Sequence, residues 1–337
     1  MKVLVTGGLG FLGSHLCLLM SQKGMTPVAM DMWDEGTRHH LNGLNTLLGH
    51  PTRFVEGWSG DPELLRRVLG AERFDAVVHL EPGVAIARPG DSLDTRIAQT
   101  LDPMACLLNE MENQGVLQLH VASSAEVYAG SIDRRPLTEQ SVRMPSSPRG
   151  VHHIILEELV RELPLLDAAW RVGVYRFFSL AGGHESGLLG PLDARELQQL
   201  LPQLCKTATD GLATSIRCDL PTEDGSGVHD FIHVEDAAAA IVAGLQTANT
   251  YGDSFTVNVG TGMATSELDM VKRMGHTTLR ELAWSRRFGA PGAAPCLVAD
   301  MSYAHEVLGW RARKSVQEIC DTTWAWFLTN QTRVQAT

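Results

Sequence analysis

Through the first half of the chain, short runs of Val, Leu, Ile and Ala alternate with longer stretches in which apolar residues recur every three or four positions. The short runs at 2–6, 27–31, 53–56, 76–80, 117–122 and 172–177 predict strands. Between them, 14–23, 62–69, 103–114 and 152–163 predict helices. Gly24 and Gly115 stand where a left-handed helix C-cap is expected. Strands and helices in strict alternation point to βαβ units around a parallel sheet, an α/β fold.

Past Phe177 the texture changes. Glycines at 182, 183, 187, 190, 225 and 227 break the chain into loops, with a helix predicted over 194–207. The run Phe255-Thr-Val-Asn-Val-Gly then reads again as a strand and turn, so two lobes interleave in sequence. The division expected is 1–177 with 231–262 returning to it, against a smaller lobe of 178–230 and 263–337.

Composition narrows the class. With 337 residues, 44% of them hydrophobic, and a net charge of -11, the chain has an ordinary globular make-up; disordered, collagenous and membrane classes are excluded. Arg and Lys are scattered, which leaves no electrostatic footprint for nucleic acid or an anionic membrane surface. Cys17, Cys106, Cys205, Cys218, Cys296 and Cys320 form no C-x-x-C pair and no zinc-like cluster with histidine, so no metal site is expected and the thiols fit a cytoplasmic protein. His39-His40 and His152-His153 are adjacent pairs, which on a helix point about 100 degrees apart and make poor metal sites; a surface role is expected for them. Asp230 and Glu235-Asp236 precede an alanine run and are expected to cap a helix, while Trp324 and Trp326 are expected to pack.

The strongest local signal is Thr6-Gly7-Gly8-Leu9-Gly10-Phe11-Leu12-Gly13-Ser14-His15, between the first strand and the first helix. Glycines at 7, 10 and 13 suit a sharp turn, close approach of a pyrophosphate, and tight contact of helix with strand. The helix N-terminus adds unpaired N–H groups and a partial positive charge. Asp31 ends the second strand near the usual spacing of about 20 residues, where a carboxylate accepts from a ribose hydroxyl and repels the extra phosphate of NADP. NAD is the expected cofactor, with Asp31→Arg expected to abolish the preference.

The sequence also resembles the extended short-chain dehydrogenase/reductase family, in its UDP-glucose 4-epimerase-like, NAD-dependent epimerase/dehydratase branch. The resemblance is carried by 3–15, by Asp75-Ala-Val-Val-His79-Leu, by Val121-Ala-Ser-Ser-Ala-Glu-Val-Tyr128, and by Arg176-Phe-Phe-Ser-Leu-Ala-Gly-Gly-His184. The stretch from Pro221 to Val234, Asn258-Val-Gly-Thr-Gly262 and Leu308-Gly-Trp310 continue it, so it covers nearly the whole chain. It implies a Rossmann-type doubly wound parallel sheet holding NAD, a smaller interleaved lobe holding a nucleotide-sugar, hydride transfer between sugar and NAD, and a homodimer built on the helices near 103–114 and 152–163. Cofactor contacts are then expected from Gly7, Gly10, Phe11, Leu12, Gly13, Asp31, Trp58 and Leu80.

The family's proton-transfer pair is Tyr-x-x-x-Lys, and this chain has none. Its tyrosines are Tyr128, Tyr175, Tyr251 and Tyr303, and no lysine lies four residues beyond any of them. By the family pattern Ser124 takes the place of the active-site hydroxyl, while Arg149 falls where Tyr is expected and His153 where Lys is expected. Arginine is always protonated, whereas a histidine near its ordinary pKa can act as a base. Glu126 stands where related dehydratases and decarboxylases carry an acid/base glutamate; alternatively it is a solvated or salt-bridged loop residue. Further departures are Trp58 in place of an adenine-reading aspartate, Glu81-Pro82 and Thr100 near the cofactor, and Ser179 and His229 in place of a substrate-binding Asn and Arg. Arg287 still matches a diphosphate clamp, although Ala290 replaces the acidic residue after it.

Three functions remain open at this stage. The first is an NAD-dependent nucleotide-sugar epimerase or related isomerase using Ser124, His153, Arg149 and Glu126. The second is a dehydratase- or lyase-type enzyme with Glu126 or His153 as base. The third is a non-catalytic binder of NAD or nucleotide, whose 152–163 helix serves only the dimer interface.

Overall fold

The apolar run that opens the chain forms β1 (Lys2–Thr6), in which Val3, Leu4 and Val5 are fully buried. The computed structural model describes residues 1–80, 93–131, 135–192, 197, 199–289 and 294–331, which pack as two units. The first unit comprises Met1–Val127, Ser147–Arg176 and Ile241–Val257. In it β1 is followed by α1 (Phe11–Gln22), β2 (Thr26–Asp31), α2 (Glu35–Leu48), β3 (Arg53–Glu56), α3 (Pro62–Ala71), β4 (Ala76–His79), α4 (Leu93–Asn113), β5 (Gln118–Ser124), α5 (Pro148–Leu166) and β6 (Arg171–Phe177). β10 (Phe255–Val259) completes a seven-stranded sheet of order β10-β6-β5-β4-β1-β2-β3. The ladders from β3 through β2, β1 and β4 to β5 are parallel.

This is a doubly wound α/β sheet whose direction of growth reverses at β1, and such sheets bind ligands beyond their carboxyl ends at that reversal. Leu4, Val77, Leu119 and Val174 pack with Met104, Leu107, Met111, Leu156 and Val160 from the helices in one core. The left-handed glycines expected at helix ends are present, Gly24 at φ +76 and Gly115 at φ +69. Helix α2 was not predicted: it is polar, and it starts from a capping box in which Asp34 accepts from the Thr37 amide at 2.8 Å while Thr37 accepts from the Asp34 amide at 2.9 Å. Helix α4 begins ten residues before the predicted start and carries Pro103 inside it. Helix α5 begins at Pro148 because Ser147 caps it, accepting from the Gly150 amide at 3.0 Å, four residues ahead of the apolar periodicity.

The second unit comprises Tyr128–Ser146, Phe177–Ala240 and Asn258–Thr337. Its elements are β7 (Ser179–Ala181), α6 (Leu200–Asp210), β8 (Thr214–Arg217), β9 (Val228–His233), β11 (Ala264–Ser266), α8 (Glu267–Thr278), β12 (Trp284–Arg287), β13 (Cys296–Leu297), α9 (Ser302–Leu308) and α10 (Val316–Thr329). Helix α7 (Val234–Tyr251) carries the chain from this unit back to the first. β9 pairs with β7, β11 and β13, while β8 and β12 form a separate parallel pair. Leu201, Leu204, Phe231, Met270, Met274, Ile319, Trp326 and Phe327 form its core. The helix predicted at 194–207 is α6, later in the chain; 193–196 and 198 lie outside the described residues.

Two expectations change here. Asp230 does not cap a helix. It is fully buried in β9 and its carboxylate accepts from the amides of Thr261, Gly262 and Ala299 at 2.7, 2.8 and 3.2 Å and from the Thr261 hydroxyl at 2.6 Å, fixing the turn after β10. Asp236 accepts from the amides of Arg313 and Lys314 at 2.9 and 2.8 Å instead of from its own helix. Nor are the histidine pairs surface features as a whole, since His40 and His153 are 2% and 8% exposed. Trp326, fully buried, packs as expected.

Candidate functional site

The glycine turn after β1 is built so tightly that side chains are excluded by the backbone itself. Gly7 sits at φ +65, Gly8 donates to the Met30 carbonyl at 3.2 Å, and Gly10 donates to that of Gly7 at 3.1 Å. A Cβ on Gly8 would lie 2.6 Å from the Val5 oxygen, and one on Gly13 would lie 2.0 Å from the Gly7 oxygen. Gly10 is the N-cap of α1 and offers no side-chain hydrogen bond, so the first-turn amides of Phe11, Leu12 and Gly13 have no side chain capping them. An uncapped N-terminus of a 12-residue helix, reached through a Cβ-free turn, suits a phosphate.

Side chains from neighbouring elements hold the turn in place. His40 of α2 donates through Nδ1 to the Leu9 carbonyl at 2.6 Å, and His15 donates to that of Phe11 at 2.7 Å. Asp31, at the end of β2, accepts from the Leu9 amide at 2.9 Å through Oδ2 and from the Met32 amide at 2.9 Å through Oδ1. Burial raises its pKa to about 6, against the lowering effect of those amides. Leu80 follows β4 and donates its amide to Thr6 at 3.1 Å. His79, at the end of β4, bonds the Thr6 hydroxyl through Nδ1 at 2.8 Å, and burial, with the charge of His152 second, brings its pKa down to about 4. Trp58, beyond β3, is 44% exposed.

A second group gathers at the carboxyl end of β5. Ser124, the last strand residue, is 9% exposed and accepts from the Glu126 amide at 3.2 Å. Glu126 lies in a 3-10 turn, Ala125–Val127, and its Oε2 accepts from the Ser147 hydroxyl at 2.5 Å. Its Oε1 faces Arg149 Nε at 3.7 Å, the guanidinium being half-exposed. One hydroxyl, that of Ser147, therefore both caps α5 and anchors the carboxylate. His153, one turn further along α5, is buried; burial first, and then the charges of Arg149 and His152, push its pKa down to about 3. Its Nδ1 has no hydrogen-bond partner among the described residues. At neutral pH His153 is thus an uncharged imidazole of low basicity.

Behind this group, Glu157 of α5 accepts from Ser123 Oγ at 2.5 Å and from Arg176 Nε at 2.8 Å through Oε1, and from Arg176 Nη2 at 2.6 Å through Oε2. Both charged side chains are about 95% buried, at 5% and 4% exposure. Sequence reasoning missed Ser147 and the Glu157–Arg176 pair; the Ser-Pro step at 147–148 was a readable helix-start signal, whereas the ion pair left none.

In the second unit, Ser179 begins β7 opposite Phe231 of β9. His229 of β9 meets Glu267 through Nε2 at 3.3 Å, partly exposed. Arg287 ends β12 in register with Arg217, which pairs with Asp219 at 2.5 Å. Glu81, Pro82 and Ala290 lie outside the described residues, as does the side chain of Thr100. Among the described residues no group of three metal-ligating side chains occurs, and no helix is long and apolar enough to cross a membrane.

Residues 3–260 match the model of the NAD dependent epimerase/dehydratase family. The UDP-glucose 4-epimerase of Neisseria meningitidis serogroup C is 31% identical over 336 residues, 98% of each chain. A solved UDP-glucose-4-epimerase from Stenotrophomonas maltophila with bound NAD and formylated UDP-arabinopyranose superposes with a TM-score of 0.90 at 29% identity, covering 100% of both chains. The Bifidobacterium longum UDP-glucose 4-epimerase in complex with NAD+ and UDP gives a TM-score of 0.87 at 28% identity over 99% of this chain and 100% of that one.

Proposed function

The chain belongs to the NAD dependent epimerase/dehydratase family, and from that membership we propose that it is an NAD-dependent nucleotide-sugar epimerase with an atypical proton-transfer group. Its residues fit the cofactor. The uncapped first turn of α1 and the cradle of Gly7, Gly10 and Gly13 would hold the pyrophosphate, and Phe11, Leu12, Leu80 and Trp58 are assigned to the rest of the cofactor. Asp31 accepts from ribose hydroxyls and excludes a 2′-phosphate. NAD, when bound, supplies the means to take a hydride from a sugar carbon and return it to the other face. Ser179, His229 and Arg287, in the second unit, are assigned to the nucleotide-sugar.

The observation that carries the proposal is the carboxylate of Glu126, anchored by Ser147 and Arg149 beside Ser124. In this reading Ser124 orients a sugar hydroxyl, Glu126 takes its proton as the carbon is oxidised and gives it back afterwards, and Arg149 helps to position the carboxylate. His153, neutral, contributes a hydrogen bond and no charge. Incubating the purified protein with UDP-glucose or UDP-galactose, and following their interconversion by NMR, tests this. Glu126→Gln is expected to lower turnover by about a hundredfold, the range of a positioned acid/base group, with NAD affinity unchanged. Equal turnover in wild type and variant would remove Glu126 from the role.

One further reading is favoured by the low basicity of His153 together with Arg149 in the tyrosine's place: binding of NAD and a nucleotide-sugar without turnover. It is distinguished by tight binding of both ligands with no interconversion. Two copies pairing through α4 and α5 fits the exposed Val151 and Ile155 on α5, and light scattering measures the mass. A cytoplasmic setting agrees with six cysteines that form no C-x-x-C pair.

A pH dependence follows from Asp31. Its pKa of about 6 means that the carboxylate is half-ionised at that pH, mostly ionised from pH 7 upward and mostly protonated by pH 5. NAD affinity is therefore expected to be constant from pH 7 to 8 and to weaken from pH 6 to 5, as one ribose acceptor is lost. The sign is opposite for the ligand-free fold: a raised carboxylate pKa favours folding below the ordinary value and that contribution is lost as pH rises through about 6. Calorimetric titration across this range checks it; affinity that improves toward pH 5 would contradict it.

A further inference from the structure

Beyond the ends of β2 and β3 the chain places one tryptophan each. Asp31 of β2 stands opposite Glu56 of β3 in the parallel ladder, and the Gly57 amide donates to the Asp31 carbonyl at 2.9 Å. Two residues beyond each of these partners stands a tryptophan, Trp33 after Asp31 and Trp58 after Glu56. Their exposures are 45% and 44%, and Met32 beside them is 59% exposed. Both rings are supported. Trp33 lies against Phe54, ring centroids 5.4 Å apart. Trp58 opens a turn closed by the Asp61 amide to the Trp58 carbonyl at 3.1 Å, and its indole folds over Gly60, where a Cβ would meet the ring at 2.5 Å.

Two carboxylates near the indoles in sequence, Asp34 and Asp61, already serve helix ends. Asp34 accepts from the Thr37 amide at 2.8 Å, and Asp61 from the amides of Glu63 and Leu64, each at 3.0 Å. A dinucleotide whose pyrophosphate lies at α1 and whose ribose meets Asp31 must place its base beyond Asp31, over the ends of β2 and β3. What these strand ends offer there is aromatic surface held in place by Phe54 and Gly60.

We propose that the nucleobase of the dinucleotide is held by contact with Trp33 and Trp58 and not by hydrogen bonds to its 6-amino group, so that the protein accepts dinucleotides whose base carries a 6-oxo group instead. The proposal rests on the assignment of NAD to the cradle. Stacking is tolerant of base identity, because every base presents a π-face, whereas a carboxylate acceptor selects for an exocyclic amine.

Calorimetric titration of the full chain with NAD and with nicotinamide hypoxanthine dinucleotide tests it. The expected result is two dissociation constants within fivefold of each other. Trp58→Ala is expected to weaken both by about tenfold, the lower range of base–aromatic stacking, and to leave their ratio unchanged. Trp58→Asp is expected to move the ratio beyond fivefold in favour of NAD. A wild-type preference for NAD beyond fivefold overturns the proposal, as does Trp58→Ala leaving both affinities within twofold of wild type. Failure of the wild type to bind either dinucleotide instead overturns the cofactor assignment beneath it.

Discussion

Gly13→Ala is expected to weaken NAD binding by about a hundredfold while Gly24→Ala leaves it intact, although the two glycines stand at opposite ends of the same helix. At Gly13 an added Cβ would sit 2.0 Å from the Gly7 oxygen and 2.8 Å from two backbone atoms of Gly8. Neither neighbour has room to yield. Gly8 is wedged against Val5 and Ala29 and bonded to Met30, and Gly7 holds a positive φ at the turn. The helix must therefore back away from the strand, carrying its first-turn amides with it. Overpacking strain of about 3 kcal/mol, matched by a loss of about a hundredfold in affinity, is the expected scale. At Gly24 the added methyl meets nothing within 4 Å, and its φ of +76 costs about 1 kcal/mol of stability without touching the cradle. Thermal melts with and without NAD read both effects at once, since a ligand at about a hundred times its dissociation constant adds about 2.7 kcal/mol to a fold that binds it. Gly13→Ala is expected to lose most of the NAD-dependent rise in melting temperature; a rise like that of the wild type would refute the steric account.

The cradle was legible in the sequence because its requirement is local: glycines where no Cβ fits, an uncapped helix start, and an acid at the end of the next strand. The same is true of the helix ends at Gly24 and Gly115. Helix α2 was less visible, because its polar sequence hides the periodicity and its start is marked only by the Asp34–Thr37 box. The departure at Arg149 and His153 was readable as a substitution, but its consequence was not. Whether a histidine is a base depends on burial and on nearby charge, and here burial takes the imidazole to about 3 while the guanidinium turns toward Glu126. Asp230 was misread for a related reason: its four partners come from residues some 31 and 69 positions away, which no local pattern encodes. What was missed at Asp230, and where Arg149 faces Glu126, is a polar contact between segments apart in sequence.

Arg176→Met is expected to destabilise the first unit by about 3–5 kcal/mol, because it leaves the carboxylate of Glu157 buried and uncompensated. The two residues are 19 apart in sequence, on α5 and β6, and both oxygens of Glu157 receive a guanidinium hydrogen bond, with Ser123 of β5 donating a third. Three elements are joined at one point, directly beneath the strand end that carries Ser124 and one turn from His153. Denaturant unfolding with and without the second change Glu157→Leu separates charge burial from packing. If the penalty is the stranded carboxylate, the double variant regains most of the stability lost by Arg176→Met, since replacing both members of a buried pair with apolar groups is near neutral. A double variant as unstable as the single one would instead place the cost in the lost arginine stem. Stability regained by the double variant need not bring activity with it. Leucine can fill the space of Glu157 but cannot receive the Ser123 hydroxyl, so turnover is expected to stay below wild type even when the fold is restored, and that split between stability and rate is the mark of a pair that positions Ser124 as well as holding the helix.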